Sequence, residues 1–255
     1  MLHNYHTHTP RCNHAVGTEE EYVRCALEAG MQTLGFSDHT PYPFPNGYYS
    51  TFRMFPDELK DYVAAVEDVR KRYAGQIQIP LGVEAEYYPK YFSEMVKMVK
   101  DQGIEYMLLG QHMLYDEMEG IGTGAPVADP VLLKQYCDQT IEALYTGLFT
   151  YFAHPDIMHF VGEEAIYRQQ MRRICRAAKE CQVPLEINLL GLYLQRQYPN
   201  PIFWELAAEE GCKVVLGVDA HKPEFLLDPQ PEQQAMEMVK TYGLELLETV
   251  SLRKI

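Results

Sequence analysis

A chain of 255 residues with 47% apolar content is long enough to bury one large core, and no stretch approaches the ~18 uncharged apolar residues of a membrane-crossing helix. The N-terminus MLHNYHTHTP lacks the basic and apolar regions of a signal peptide. A formal net charge of −14 argues against nucleic acid as the main partner, because that backbone calls for a basic surface.

Short apolar strands alternate with longer amphipathic stretches. In chain order the pattern predicts a strand over 2–6, a helix over 19–28, a strand over 33–37, a helix over 58–72 and a strand over 77–84. A helix over 91–100 follows, then a strand over 106–110, a helix over 130–144, a strand over 149–153 and a helix over 165–181. Strands over 185–188 and 214–218 alternate with helices over 201–210 and 233–242. About seven β/α repeats result, and no Pro/Gly/Ser-rich linker or charge block divides them. A single domain over 1–255 is expected, of α/β class, its parallel sheet closed into a barrel. Two long loops, 41–56 and 115–129, follow strand ends and are candidates for substrate walls or lids. Cys12, Cys25, Cys137, Cys175, Cys181 and Cys212 form no CxxC pair and read as reduced, mostly core thiols of a cytoplasmic protein.

The histidines carry the functional signal. His6 and His8 form H-T-H directly after the first strand, where period-two alternation puts both rings on one face. His14 lies in the loop just beyond. His39 follows the second strand, Glu84 and Glu86 end the third, His112 the fourth and His154 the fifth, and Asp219 and His221 form D-A-H after the seventh. Any one of these histidines alone is more often a hydrogen-bonded core or rim residue. Six strand ends delivering imidazole or carboxylate donors to one rim are not expected from independent accidents. Such donors suit Zn, Mn, Fe or Co, and their number exceeds the needs of one tetrahedral ion, so two or three divalent ions are implied. Clustered cations would also let an acidic chain take a phosphate ester.

The segments HTHTPRCNHA, FSDHTP, LGVEAEYYP, GQHML, AHPD and GVDAHKP resemble, in this order, the motifs of the polymerase and histidinol phosphatase (PHP) superfamily, above all its monofunctional histidinol-phosphatase branch. The resemblance runs from His6 to about Pro223. It implies a distorted seven-stranded (β/α)7 barrel with a trinuclear metal site. By the same resemblance His6, His8, Glu84 and Asp219 would hold one ion, and Glu84 would bridge to a second held by His112 and His154. His14, His39 and His221 would hold the third. Glu84 and Glu86 share a face, so strand alternation does not choose between them; the family pattern selects Glu84 and leaves Glu86 beside the ligands or the substrate.

The implied activity is hydrolysis of a small phosphate monoester, L-histidinol phosphate first, by a metal-bridging hydroxide held over Glu84 and Asp219. Asp38 is a candidate acid for the leaving alcohol, although alternation turns it away from His39. Arg11, Arg53 and Arg196 are candidate phosphate clamps, since guanidinium binds phosphate bidentately. Histidinol phosphatases commonly carry an Arg soon after the sixth strand, where this chain has Tyr193, and basic residues after the fifth-strand His-x-Asp, where it has Ile157, Met158 and His159. Arg196 and His159 are the candidate replacements, and the departures bear on the substrate rather than the chemistry. The alternatives are a PHP phosphoesterase acting on phosphotyrosine or nucleotides, and a non-catalytic metal-binding regulatory module. An amidohydrolase would add a strand-end lysine that no middle strand supplies. Native metal and oligomeric state are not fixed by the sequence.

Overall fold

Residues 1–255 are described in a computed structural model. Its strands are β1 (His3–Asn4), β2 (Thr33–Leu34), β3 (Gly82–Ala85), β4 (Tyr106–Leu109), β5 (Met113–Leu114), β6 (Ile121–Gly122), β7 (Phe149–Phe152), β8 (Leu185–Asn188), β9 (Lys213–Gly217) and β10 (Glu245–Leu246). The α-helices are α1 (Glu19–Glu28), α2 (Leu59–Arg72), α3 (Pro89–Asp101), α4 (Pro130–Tyr145), α5 (Glu164–Glu180), α6 (Leu189–Tyr193), α7 (Pro201–Glu210) and α8 (Pro229–Tyr242).

Local chemistry explains the helix ends. Thr18 and Glu21 exchange side-chain and backbone hydrogen bonds in a capping box at the start of α1. Asp129, Asn200 and Asp228 accept from the second backbone N–H of α4, α7 and α8, each with proline at the first helical position. Gly211 and Gly243 end α7 and α8 in the left-handed conformation. Apolar strand faces and helix stripes meet in one large buried cluster that includes Trp204, Phe36, Phe149 and Phe203.

Six strands form one parallel sheet in the order β10-β9-β8-β7-β4-β3, β1 and β2 form a separate parallel pair, and β5 with β6 makes an antiparallel hairpin. The fold is therefore α/β with a mostly parallel sheet, but the continuous ladder is open and does not show the seven-stranded closed barrel that the repeats predict. The reason lies in the first two strands. At the β1 edge the Asn4 side chain accepts from Val218 N at 3.0 Å, where a regular ladder would use a main-chain carbonyl. Outside the named strands the pairing continues as isolated parallel bridges, Thr33 with Gln78, Phe36 with Leu81, His39 with Glu84 and Thr7 with Ala220, carried by backbone hydrogen bonds such as Leu34 N–H to Gln78 O and Ala220 N–H to His6 O. The seven predicted strands all fall on observed ones, β1 and β2 shortened to two residues each. The β5–β6 hairpin, α6 and β10 lie outside the predicted elements; each is five residues or fewer, too short for a periodic signal. No helix is long and apolar enough to cross a membrane.

Candidate metal centre

Parallel strands align their carboxyl ends, and that end of this sheet collects the donors. His6, His8, His39, Glu84, His154 and Asp219 are all buried. Glu84 lies at the middle. Its Oε1 is 2.8 Å from His154 Nε2 and 3.7 Å from His112 Nε2, while its Oε2 is 3.1 Å from His39 Nδ1 and 3.6 Å from both His6 Nε2 and His8 Nε2. Asp219 Oδ1 is 3.1 Å from His8 Nε2, 3.5 Å from His6 Nε2 and 3.3 Å from His221 Nδ1. The two carboxylates thus sit within reach of six imidazoles.

The outer nitrogens fix how the rings present themselves. His6 Nδ1–H donates to Glu186 at 2.8 Å, His8 to Asp38 at 3.3 Å, His112 to Glu86 at 2.8 Å, His14 to the Cys12 carbonyl at 2.7 Å and His221 to the Asp219 carbonyl at 3.0 Å. Carboxylates and carbonyls only accept, so each of these rings carries its proton on Nδ1 and turns an Nε2 lone pair inward when neutral. That is how metal-binding histidines are held by the partners behind them.

The inward atoms have no hydrogen-bond partners of their own. His6 Nε2, His8 Nε2, His39 Nδ1, both oxygens of Glu84 and Asp219 Oδ1 are buried and unsatisfied. His14 Nε2 and His221 Nε2 face each other at 2.9 Å, two lone pairs with nothing between them unless a proton or a cation lies there. Unsatisfied buried groups are costly, and here they converge. Triads with all donor atoms within 4.8 Å of one another include His6–Glu84–His154, His6–His8–Asp219, His8–His39–Glu84 and His14–His39–His221. The residues present therefore fit divalent cations.

The electrostatics agree. Burial opposes charge on Glu84, yet His112, His6 and His39 hold its carboxyl well below the usual range, and Asp219 is held down likewise by His6 and His8. Burial disfavours a protonated His6, but the Glu186, Asp219 and Glu84 carboxylates win and push it well above the ordinary imidazole value. His8 is pushed up as well, against burial, by Asp219 and Asp38. Burial and the His8 charge drive His221 down to about 3 and His39 well below normal. Strain collects here too: His154 (φ 34°) and Asp219 (φ 54°) occupy the left-handed region, which costs on the order of 1–3 kcal/mol each.

A cavity of about 480 Å³ opens onto the donors, with His14, His39, His112, Asp219 and His221 in its wall. Arg196 and Tyr193 also line it, Arg196 donating to the Tyr198 hydroxyl at 2.8 Å. The other anticipated substrate contacts lie elsewhere. Arg11 is paired with Glu19 at 2.5 Å, outside the cavity wall. Arg53 is buried between Glu86 and Glu117, leaving it no free fork for phosphate. His159 is outside the wall, its backbone joined to Thr123 and Val127. Asp38 is fully buried, its oxygens taken by His8, Thr9 and the His39 N–H, a place suited to orienting His8 rather than to passing a proton to a leaving group.

Sequence reasoning misses three residues of the site. Glu186 and Asn188 stand two apart in LEIN, the same period-two spacing as H-T-H and D-A-H, and both reach the centre: Asn188 donates to Glu186 at 2.7 Å and to Asp219 at 3.1 Å. Lys222 follows His221 directly and lines the cavity. Glu86, expected beside the ligands or the substrate, orients His112 instead of facing the cluster.

Residues 4–189 match the PHP domain model, so the chain belongs to the PHP family. Among curated proteins it is 30% identical over 227 residues to a probable histidinol-phosphatase of Deinococcus radiodurans, covering 86% of this chain and 85% of that one. It is 28% identical over 252 residues to the histidinol-phosphatase of Bacillus subtilis, covering 85% and 92%. Among solved structures it resembles the histidinol phosphate phosphatase of Lactococcus lactis, crystallised with zinc, L-histidinol and phosphate, at a TM-score of 0.75 and 18% identity over 98% of this chain and 97% of that one. A putative histidinol phosphatase of Listeria monocytogenes gives a TM-score of 0.67 at 20% identity, over 88% and 96%.

Proposed function

We propose that this PHP protein is a metal-dependent phosphomonoesterase, with L-histidinol phosphate the first candidate substrate and two or three divalent ions (Zn, Mn or Fe) held at the strand ends. The observation that carries the reading is Glu84, whose two oxygens have no hydrogen-bond partner and face different imidazole sets, His112 and His154 on one side and His6, His8 and His39 on the other. We assign His6, His8, Glu84 and Asp219 to one ion, Glu84, His112 and His154 to a second, and His14, His39 and His221 to a third. The bridges at Thr7, Thr33, Phe36 and His39, which link β1 and β2 to their neighbours, support a distorted seven-stranded barrel with the metal centre at its mouth.

Bound cations would activate water and neutralise phosphoryl oxygens, which makes a chain of net charge −14 compatible with a dianionic ester. The protein's own groups do the rest. Glu186, Asp38 and Glu86 hold His6, His8 and His112 in the tautomer that presents Nε2. Arg196 and Lys222 bring positive charge to the cavity wall, where a phosphate would lie. The six unpaired thiols fit a cytoplasmic setting.

A phosphoesterase of other specificity is favoured by one observation: Tyr193 lines the cavity, its ring 4.7 Å from Phe225, where the resemblance to histidinol phosphatases leads one to expect an arginine. A panel of phosphate monoesters tested on metal-reconstituted protein decides between them. A kcat/KM for histidinol phosphate well above that for generic aryl esters and phosphotyrosine is expected; equal values remove the biosynthetic assignment. No hydrolysis of any ester after reconstitution removes the phosphatase reading.

A further inference from the structure

The largest buried charge group outside the imidazole cluster joins the two long loops at the rim. Arg53, in the 41–56 loop, is 2% exposed. One arm of its guanidinium donates to the Thr40 carbonyl, and the other donates both to Glu86, at 2.8 Å, and to Glu117 in the 115–129 loop. Tyr88 donates to the same Glu117 oxygen at 3.1 Å, and the Tyr48 hydroxyl donates to the Glu117 carbonyl at 2.9 Å. The guanidinium also lies 4.5 Å from the centre of the Phe52 ring, which packs edge-on against His39 and His112 and lines the cavity. Arg53 therefore pins both loops and one wall of the cavity with a single side chain.

Its link to the metal centre is one carboxylate long. Glu86 gives one oxygen to Arg53 and the other to His112 Nδ1, at 2.8 Å each. The count of buried charge is uneven, with one guanidinium against the two carboxylates Glu86 and Glu117, and Glu117 Oε2 has no partner at all. Buried charge without compensation is strongly unfavourable. Glu86 joins this group to His112, so a cation bound at His112 would bring positive charge next to it. We propose that Arg53 is a positioning residue that couples docking of the two rim loops to occupancy of the ion held by His112. Metal at His112 balances the group and favours docked loops; docked loops hold Glu86, and through it His112, in ligating orientation. The coupling is reciprocal by thermodynamic necessity.

The inference rests on His112 being a metal ligand. Metal titration of the full chain reads it directly, together with limited chymotrypsin digestion, for which Tyr48, Tyr49 and Tyr115 are exposed sites in the two loops. In the unaltered protein, added Zn or Mn should slow cleavage in both loops. In Arg53→Met one ion should bind about 10–100-fold more weakly, as for loss of other groups that support a ligand, and added metal should no longer slow cleavage. Arg53→Lys, which keeps the charge without the fork, should fall between. Glu117→Gln removes the excess charge, so its loops should be protected equally with and without metal. An Arg53→Met protein with unaltered affinity and metal-dependent protection overturns the coupling. Should that variant fail to fold, metal-dependent protection persisting in Glu117→Gln overturns it equally. An unaltered chain that binds no metal overturns the metal centre itself, a different failure.

Discussion

Gly110, just past the end of β4 and two residues before His112, tests the centre by adding one methyl group. A Cβ at this position would lie 1.8 Å from Glu84 Oε1, 2.5 Å from its Cδ and 2.7 Å from its Cγ. Ordinary contact begins near 3.4 Å, so Gly110→Ala requires the Glu84 carboxylate to retreat by about 1.6 Å (3.4 less 1.8). The clash falls on the body of the side chain as well as its tip, and Glu84 is buried on all sides. Coordination tolerates about 0.2 Å, so the displaced carboxylate is lost to both ions it is proposed to join. Loss of a shared ligand should cost at least as much as the upper end for supporting residues, about 100-fold in kcat/KM, or about 2.7 kcal/mol of transition-state stabilisation. Gly217→Ala is the graded comparison. Its Cβ would sit 2.0 Å from Glu186 Oε2, the group behind His6, so one ligand is misoriented and none is removed; about 10–100-fold is expected. Metal content after dialysis, aryl phosphatase rate and far-ultraviolet circular dichroism separate loss of metal from loss of fold. A folded Gly110→Ala enzyme with full metal content and unaltered rate would refute the central placement of Glu84.

Two further outcomes follow from the same geometry. Glu84→Ala should lose two ions together, because its oxygens face separate imidazole sets; elemental analysis showing loss of a single ion contradicts the bridge. The pH dependence has a definite sign. His6, His8 and His112 have raised pKa values in the metal-free fold, so their contribution to stability is full below about pH 6.5 and is lost as pH rises through their folded values. Cations replace those protons in the loaded protein, so the Tm difference between loaded and metal-free protein should widen as pH rises from about 6.5 to about 9. On the acid side Glu84 and Asp219 contribute stability above about pH 4 that is lost as pH falls through their depressed values. Thermal scans showing a Tm difference that narrows with rising pH would contradict this ordering.

Period-two spacing and strand-end position make His6 and His8, and Asp219 and His221, legible in the sequence, because a ligand pair on one strand face leaves its mark within three residues. The relation between distant segments is not written that way. Arg53 reads as a phosphate clamp because the rim loop carrying it and the charge on it are visible, whereas the two carboxylates that neutralise it lie 33 and 64 residues away. Asp38 adjoins His39 in sequence but serves His8, 30 residues distant, since the parallel strands set neighbours by register. The seven-strand count survives as seven segments, not as seven regular ladder members; at the first strand the Asn4 side chain, not a main-chain carbonyl, takes the Val218 N–H, a substitution no hydrophobic pattern records.

The proposed ligands and their neighbours differ in legibility for a related reason. A first-strand HTH is a poor choice for packing alone: two fully buried imidazoles each leave a nitrogen unpaired, and two later positions, His154 and Asp219, sit in backbone conformations that cost further stability. A sequence shaped by the core would replace them with apolar residues of similar volume at little or no loss. Glu84 and Asp219 answer His6 and His8 while those rings stay protonated, and the proposed cations take over that role when the rings are neutral. Violations of packing logic are thus the readable part of the site. Glu186, Asn188 and Glu86 make satisfied hydrogen bonds, so their roles behind the centre are fixed only when the folded chain shows which group each one meets.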